Sequence, residues 1–423
     1  MRILVLGSGA REHAIVTALL AENAGHEVIA APANAGISAE AGVETVALDP
    51  TDCPVVADYA AANRVDLVVI GPEAPLVGGV ADAVRAHGIP VFGPDRAAAA
   101  LEGSKNFAKR IMEVAGVPTG RSVRAATLAE VAAALDDLGA PHVVKADGLA
   151  AGKGVIVTDS SEAALAHAEH FLQQGEILVE EFLDGPEVSL FFLADGHDVL
   201  PLSPAQDYKR VGDGDAGPNT GGMGAYSPLP WLDASFGSEA AFVAEVRRTI
   251  ALPTIRTLEA EGTPFIGLLY CGLVLTPGGI RVIEFNARFG DPETQVVLPR
   301  LRTPLSALLL AAATGGLAEL PDPEFSPEAA VVVVLASEGY PEDPITGREL
   351  TGVDQHLPAG VTIAHAATAH DGDRLLATGG RVLGVVARGA DFAAARGAAY
   401  AALDGIHLEG GHYRRDIAER VAS

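Results

Sequence analysis

Three polar side chains in the stretch Arg281–Gln295 have the types and spacing of a site for a metal-bound anion. The first half of this stretch reads as a β-strand, in which alternate residues share a face. Glu284, Asn286 and Arg288 are therefore predicted to point together, while Ile283 and the other apolar residues between them face the opposite side. Carboxylate and amide oxygens are ligands that Mg²⁺ takes beside phosphate oxygens, and arginine binds phosphates and carboxylates. A half-solvated antiparallel strand without a ligand shows the same alternation, so the strand alone leaves both interpretations open.

A glycine-rich loop, Gly7–Glu12, follows the first predicted strand. A dinucleotide-binding fingerprint needs a small residue where Glu12 stands, and an acidic residue at the end of the second strand, which here reads Ala30–Ala33. The sequence therefore argues against a dinucleotide. Backbone N–H groups at a helix N-terminus still suit a single phosphate, and a tight turn without a ligand is the alternative.

A second glycine-rich loop, Gly148–Gly154, lies between two predicted strands and lacks the Gly-Lys-Ser/Thr ending of a P-loop. With Lys145 on the preceding strand, the loop has the arrangement of a mobile lid over nucleotide phosphates. A plain flexible hairpin is the alternative interpretation.

Two further segments could contact a nucleotide or an amino acid. In Glu180–Glu187, backbone groups around Leu183 could bind an adenine edge, and Glu187 could accept ribose hydroxyls. The segment Val211–Ser227 has no periodicity and is rich in glycine, which lets backbone approach a ligand closely, and its Asp213 could hold an amino group. We predict a functional loop there. An acidic turn and a charged hinge loop are the respective alternatives.

The elements that must position these residues fall into different classes along the chain. Residues 1–100 alternate strand-like and helix-like segments, which predicts a parallel sheet with helices on both faces. Ligands of such sheets lie at the carboxyl ends of the strands, where Gly7–Glu12, Asn34–Gly36 and Gly71–Pro75 fall. The central region reads as α+β with antiparallel hairpins, and includes a predicted helix over Glu102–Ala115. A proline-rich boundary then leads to a smaller C-terminal α+β unit.

Composition narrows the possible functions. The 423 residues carry 29 basic and 55 acidic side chains, a net charge of -26, which disfavours a nucleic-acid partner. Cys53 and Cys271 are far apart, so a disulfide framework or zinc site is not expected, and a reducing compartment fits. No apolar run is long enough to span a bilayer. We expect a soluble, cytoplasmic protein without a membrane partner, as a monomer or weak homodimer.

Taken together, these stretches resemble the glycinamide ribonucleotide synthetase family of the ATP-grasp superfamily over the whole chain. The resemblance rests on these segments: Gly7–His13, Gly71–Leu76, Gly103–Lys109, Lys145–Gly154, Glu180–Glu187, Lys209–Asp213, Gly217–Tyr226, Glu284–Gln295 and Thr378–Gly384.

The resemblance implies an α/β and α+β multidomain fold. It would comprise an N-terminal Rossmann-like domain over 1–101, a two-lobed ATP-grasp domain over 102–320 with a lid at about 120–193, and a small C-terminal α+β domain over 328–423. It also implies a reaction of de novo purine biosynthesis. ATP phosphorylates glycine to glycyl phosphate, and the amine of 5-phosphoribosylamine attacks it, giving glycinamide ribonucleotide, ADP and phosphate. The implied cofactors are ATP and Mg²⁺ or Mn²⁺.

The resemblance also implies roles for individual residues. Glu284 and Asn286 would bind the metal, while Arg288, Asp213 and Asn219 would hold glycine and the acyl phosphate. The nucleotide would be bound by Lys105, Lys145, Gly152, Lys153, Glu180, Leu183 and Glu187. Phosphoribosylamine would be bound by Gly9, Arg11, Gly71 and Glu73. Ala10 and Tyr208 depart from the family, which usually has glycine and commonly histidine there, and the methyl group at position 10 is expected to narrow the phosphate loop.

Three other functions remain as alternatives. A related ATP-grasp enzyme could use another amino acid, or bicarbonate as biotin carboxylases do. A nicotinamide-dependent oxidoreductase could be built on the first domain, although Glu12 and the missing ribose carboxylate argue against it. A non-catalytic nucleotide-binding regulator is disfavoured by the presence of Lys105, Lys145, Glu284 and Asn286.

Overall fold

The N-terminal part is a parallel β-sheet between helices, in a computed structural model that describes residues 1–148 and 154–422. Its elements are β1 (Arg2–Leu6), α1 (Ala10–Ala21), β2 (Glu27–Ala31), α2 (Ala35–Ala39), β3 (Val43–Thr45), α3 (Cys53–Ala62), β4 (Leu67–Ile70), α4 (Glu73–Gly78), α5 (Val80–Arg85), β5 (Val91–Phe92), α6 (Arg96–Gly103) and α7 (Lys105–Ala115). The strand order is β3-β2-β1-β4-β5. Ile3 and Val5 pack in one core cluster and Leu4 and Leu6 in another, so β1 is buried on both faces. The predicted parallel sheet is confirmed.

The next unit is an antiparallel sheet covered by two helices. Its elements are β6 (Ser122–Ala125), α8 (Leu128–Leu138), β7 (His142–Ala146), β8 (Val155–Thr158), α9 (Ser161–Leu172) and β9 (Ile177–Glu180). The strand order is β6-β9-β7-β8. Apolar side chains of both helices and of these strands form a separate core cluster. This unit, called the β6–β9 unit below, therefore has its own core. The chain segments before Ser122 and after Glu180 join it to the rest of the protein.

The central region contains a long antiparallel sheet. Its elements are β10 (Glu187–Asp195), β11 (Val199–Pro201), β12 (Gln206–Asp207), β13 (Arg210–Gly212), β14 (Ala216–Asn219), β15 (Gly224–Ser227), α10 (Leu232–Phe236), α11 (Glu239–Val246), α12 (Leu252–Ala260), β16 (Ile266–Thr276), β17 (Gly279–Asn286), α13 (Thr294–Val297) and α14 (Leu305–Thr314). The order β11-β10-β16-β17 places β17 at one edge.

The C-terminal part completes a sheet that begins in the central region. Its elements are β18 (Ala329–Ala336), β19 (Leu350–Thr351), β20 (Val361–His365), β21 (Thr368–Asp371), β22 (Arg374–Ala377), β23 (Arg381–Gly389), α15 (Phe392–Leu403), β24 (His407–Leu408) and α16 (Glu419–Ala422). The five-stranded order is β12-β15-β18-β23-β20. Strands from the segment 206–227 thus extend the C-terminal sheet. No helix in residues 1–148 and 154–422 combines the length and apolar character needed to cross a membrane.

Two local predictions are corrected by the structure. Val211–Ser227, predicted as a loop, contains paired strands, because β13 pairs with β14, and β15 pairs with β18. The helix predicted over Glu102–Ala115 is divided at Ser104, whose Oγ accepts the N–H of Phe107 at 3.1 Å. A serine that caps a helix in this way starts a new helix rather than continuing the old one.

A histidine pair joins the N-terminal loops to the C-terminal sheet. The N–H of His365 donates to Nδ1 of His13 at 2.9 Å, so Nδ1 carries no proton and Nε2 can donate to Glu40, 3.1 Å away. Asn34 donates to the carbonyl of His365 at 2.7 Å and to that of Ser8 at 2.8 Å. Burial, together with nearby His13 and His370, lowers the pKa of His365 to about 4.

This lowered pKa predicts a contribution to stability that is lost in acid. Folded His365 stays neutral down to about pH 4, whereas a histidine in the unfolded chain takes up a proton near about pH 6.5. The unfolded state therefore binds more protons between these values, and unfolding free energy falls as pH drops through this window, by at most about 3 kcal/mol. Chemical denaturation at about pH 7.5 and about pH 4.5 should show a smaller acid loss for His365→Asn than for wild type. The exposed His87→Asn is the control, and equal pH dependence of wild type and His365→Asn would contradict the prediction.

Candidate functional site

A β-bulge in the pairing of β16 with β17 orients the predicted metal ligands. Gly272 pairs with Glu284 but Leu273 pairs with Val282, so Ile283 is an extra residue on β17. Because of this extra residue, Val282 and Glu284 point to opposite faces of the sheet, although strict alternation would put them on the same face. Val282 and Phe285 are both buried, while Glu284 remains partly exposed. The predicted common face of Glu284 and Asn286 fits this burial pattern. Ile283 is itself the bulge residue and is partly exposed, whereas Phe285 is buried, so the simple alternation predicted for these two residues does not hold.

Glu284 lies among four cations. Burial raises the pKa of its carboxyl group, but Lys209, Lys145, Lys105 and Arg288 outweigh burial and bring the pKa below its usual value. The carboxylate is therefore charged at neutral pH. Three of these cations also pair with other carboxylates, Lys145 with Glu180, Lys209 with Glu187 and Arg288 with Glu102, so cations and carboxylates alternate around Glu284.

The oxygens of Glu284 and Asn286 are open to a ligand. Neither side chain has a hydrogen-bond partner within residues 1–148 and 154–422. In the same residues, no group of three or more His, Cys, Asp or Glu side chains is arranged to hold a metal. A carboxylate and an amide oxygen fit Mg²⁺, which usually keeps water and phosphate oxygens as its other ligands. The donor set therefore fits a metal that arrives with a phosphate ligand.

Lys145 and Glu180 form a buried ion pair between β7 and β9. Nζ of Lys145 donates to Oε2 of Glu180 at 3.0 Å and lies 3.5 Å from the carbonyl oxygen of Ile283. Lys109, which had no predicted role, approaches the same Oε2 at 3.4 Å. Two predicted nucleotide-binding residues are thus in direct contact, beside the bulge.

Lys105 is held at the start of the second glycine-rich loop. Its backbone N–H donates to Oδ1 of Asp147 at 2.7 Å, and its Nζ donates to the carbonyl of Gly148 at 3.0 Å. Burial lowers the pKa of Lys105, while Glu284 opposes this effect. The predicted contacts of Gly152 and Lys153 lie outside the described residues.

Leu183 lies on the segment between β9 and β10, and Glu187 is the first residue of β10. Leu183 is partly exposed and packs near Gly120. Gly120 precedes β6 and so lies on the other segment that joins the β6–β9 unit to the rest of the protein. Glu187 forms an ion pair with Lys209. The pKa of Lys209 is well above its usual value, because Glu187 and Asp207 outweigh its burial. Lys209 thus connects Glu187 to Glu284 electrostatically, and the predicted contacts of Leu183 and Glu187 with a nucleotide base and ribose stay a prediction.

Arg288 links the strand to the N-terminal part. Its guanidinium lies 3.5 Å from Glu73 and 3.1 Å from Glu102. Arg11 and Arg288 each donate to the carbonyl of Phe289 at 3.2 Å. The structure therefore brings together residues predicted to bind phosphoribosylamine, Arg11 and Glu73, and the predicted guide for the acyl phosphate, Arg288.

Buried Glu12 explains the glycines around the first loop. Its carboxylate accepts the N–H of Gly9 at 2.6 Å and pairs with Arg11. A Cβ on Gly71 would come within 2.0 Å of Glu12 Oε1, and one on Gly7 would also collide with this side chain. Only glycine fits at these positions while Glu12 fills the space between the loops. The N–H of Gly9 is already used, so a phosphate would need other N–H groups.

Asp213 and Asn219 lie in two different clefts. Asp213 accepts the N–H of Arg415 at 2.7 Å and lines a cleft of about 430 Å³ beside the C-terminal segment. Asn219 lines a cleft of about 510 Å³ between β8 and the segment Tyr340–Asp343. The contacts of Asp213 are thus with the C-terminal segment, whereas those of Arg288 are with the N-terminal part, and the predicted grouping of these residues stays a prediction.

Sequence reasoning missed three charged residues near the site. Burial raises the pKa of Asp207 to about 7, with Glu293 and Glu187 adding to the effect and Lys209 opposing it. Arg381 on β23 lies 2.9 Å from the carboxylate of Asp291 and donates to the carbonyl of Gly221 at 2.6 Å. Lys109 is the third. Lys109 and Arg381 occur in segments on which the family resemblance rests. The sequence therefore carried a signal for both residues, but it did not show which residues they contact.

Comparisons with known proteins agree with the resemblance. Three family models match, described as phosphoribosylglycinamide synthetase N domain over residues 1–102, ATP-grasp (A) domain over 103–294 and C domain over 330–420. The phosphoribosylamine–glycine ligase of Leifsonia xyli is 68% identical and that of Streptomyces coelicolor is 55% identical, each over 100% of both chains.

Solved structures show the same fold. The crystal structure of phosphoribosylamine–glycine ligase from Thermotoga maritima has a TM-score of 0.81 and 34% identity, covering 98% of this chain and 100% of that one. The biotin carboxylase domain of 2-oxoglutarate carboxylase from Hydrogenobacter thermophilus has a TM-score of 0.72 at 15% identity, covering 97% and 91%. This second likeness concerns the fold alone. With three matched domains and full-length relatives of this identity, the chain belongs to the phosphoribosylglycinamide synthetase family.

Proposed function

We propose that this protein is an ATP-dependent ligase that joins glycine to 5-phosphoribosylamine and produces glycinamide ribonucleotide, ADP and phosphate in purine biosynthesis. Full-length relatives are named phosphoribosylamine–glycine ligases. The observation that carries the proposal is the open Glu284–Asn286 pair among four cations. This arrangement suits a metal nucleotide and an anionic substrate better than it suits a dinucleotide.

The nucleotide would lie between the β6–β9 unit and β17. Lys105 and Lys145 would contact phosphates, Glu187 would accept ribose hydroxyls, and backbone near Leu183 would meet the adenine edge. Glu284 and Asn286 would hold Mg²⁺ or Mn²⁺, which neutralises phosphate charge during phosphoryl transfer. The lysines that surround Glu284 would stabilise the same charge. Gly152 and Lys153 stay in the proposal as lid residues.

Glycine needs activation because a carboxylate is a poor electrophile. A carboxylate oxygen of glycine attacks the γ-phosphorus of ATP, ADP leaves, and glycyl phosphate forms. The amine of phosphoribosylamine then attacks the carbonyl carbon, phosphate leaves and the new amide nitrogen loses a proton. Arg288, Asp213 and Asn219 are proposed to hold glycine and the acyl phosphate. Closure of the β6–β9 unit would keep water from this intermediate.

Phosphoribosylamine would bind where the N-terminal loops meet Arg288. Arg11 and Glu73 are brought there by contacts with Phe289 and Arg288. Gly9 and Gly71 would allow close approach, while remaining N–H groups in the first turn of α1 would hold the phosphate. We also propose the domain bounds given above, a cytoplasmic location, and that the protein is a monomer or a weak homodimer.

A substrate-dependence assay tests the function directly. ADP release with Mg-ATP should require both glycine and freshly made phosphoribosylamine. It should be lost when alanine or bicarbonate replaces glycine. Turnover with either replacement would indicate a related ATP-grasp activity. Thermal stabilisation by NAD but not by Mg-ATP would instead revive the oxidoreductase interpretation.

An isotope experiment tests the intermediate. If glycyl phosphate forms, one carboxylate oxygen of glycine leaves with the phosphate. Glycine labelled with ¹⁸O in its carboxylate should therefore give phosphate carrying about one ¹⁸O per turnover. Mass spectrometry of the released phosphate measures this transfer. Unlabelled phosphate would exclude activation through the glycine carboxylate.

Replacement of Glu284 tests the metal assignment. Glu284→Gln keeps the size of the side chain but removes the charged ligand, and should lower kcat/KM by about 100-fold or more. Thermal unfolding should show that the fold survives, because the side chain has no hydrogen-bond partner in the described residues to lose. The control is Glu261→Gln, which changes a carboxylate paired with exposed Arg110. Near-normal activity of Glu284→Gln at limiting Mg²⁺ would refute the assignment.

A further inference from the structure

Two lysines share one carboxylate oxygen at the junction between the β6–β9 unit and the rest of the protein. Lys145 lies 3.0 Å and Lys109 3.4 Å from Oε2 of Glu180. All three side chains are at least nine-tenths buried. One buried carboxylate therefore pairs with two buried cations, so that the departure of either one still leaves it a counter-ion.

The two lysines differ in how firmly they are held. Nζ of Lys109 also donates to Oγ1 of Thr119 at 2.9 Å and to the carbonyl of Gly120 at 3.2 Å. Thr119 in turn donates to the carbonyl of Val282 at 2.7 Å. Lys145 has only one other contact among the described residues, the long one to the carbonyl of Ile283. Lys145 therefore loses fewer hydrogen bonds than Lys109 would when it moves away from Glu180.

The lysine content of the chain gives a second, independent observation. The sequence contains only five lysines, Lys105, Lys109, Lys145, Lys153 and Lys209, and uses arginine at every other strongly basic position. Lys105, Lys145 and Lys209 all act on the charge of Glu284. Lys109 lies in the same region but has no role in the proposed reaction. A compact ammonium fits between two oxygens and a carbonyl, where the planar guanidinium of arginine does not.

We propose that Lys109 is a positioning residue, which keeps Glu180 paired when Lys145 leaves it to bind the phosphates of the nucleotide. This inference rests on the proposed function, because it assumes that Lys145 contacts ATP. Without Lys109, the movement of Lys145 would leave a buried carboxylate without a counter-ion, which is strongly unfavourable. Lys145 would then stay on Glu180, and the nucleotide would lose a phosphate contact. Lys109 thus makes the transfer of Lys145 possible without touching the nucleotide itself.

The test measures Mg-ATP binding by calorimetry, with the KM values for ATP and glycine beside it. Lys109→Met should weaken Mg-ATP binding by about 10-fold or more. The KM for glycine should stay within about twofold of wild type, because Lys109 acts through the nucleotide site alone. Lys109→Gln, whose amide can still donate to Thr119 and Gly120, should show the same loss. Arg110→Met, which removes an exposed cation from the next position of α7, is the control and should bind normally.

A double-mutant cycle separates charge pairing from general damage. Once Glu180→Gln has removed the carboxylate, adding Lys109→Met should change Mg-ATP affinity by less than about threefold. Equal affinity of wild type and Lys109→Met, or additive effects in the cycle, would overturn the inference. Loss of the fold in both Lys109 variants would also overturn it, because Lys109 would then be purely structural. If wild type itself does not bind Mg-ATP, the proposed function fails instead.

Discussion

One extra residue in the pairing of β16 with β17 determines how the candidate site is built. Without the bulge at Ile283, Glu284 and Asn286 would share the face of Ile280 and Val282, and both would point into the core. With it, the two side chains face away from that core and are partly exposed. The same bulge places the carbonyls of Val282 and Ile283 where Thr119 and Lys145 meet them. The orientation of the predicted metal ligands and the contacts of Thr119 and Lys145 thus depend on one local irregularity.

Charge balance is the second constraint on this site. A protein with net charge -26 repels nucleotides in general, so binding one requires a local excess of cations. The structure concentrates Lys105, Lys145, Lys209 and Arg288 around a single carboxylate. Carboxylates that pair with some of these cations, such as Glu180 and Glu187, keep them ordered without a ligand. In the proposed function, binding would exchange protein carboxylates for phosphates, which would limit the cost of desolvating either.

Sequence patterns predicted the elements whose structure depends on residues that are close together in the chain. The buried first strand and the glycine loops at the carboxyl ends of strands followed from hydrophobicity and turn chemistry. The bulge did not, because strict alternation assigned Ile283 to the core face. The strand β15 was missed because its partner, β18, lies about a hundred residues later in the chain. Arg381 was missed for the same reason, since it reaches Asp291 and Gly221 from the C-terminal sheet.

The central claim is that Glu284 and Asn286 together bind the metal of a metal nucleotide. A crystal structure with Mn²⁺ and a non-hydrolysable ATP analogue, with anomalous data at the manganese edge, tests it most directly. If both side chains bind the metal, an anomalous peak lies about 2.2 Å from a carboxylate oxygen of Glu284 and from the amide oxygen of Asn286. A peak at the other nearby carboxylates, Asp207, Glu187 and Glu293, with none at Glu284, would contradict it.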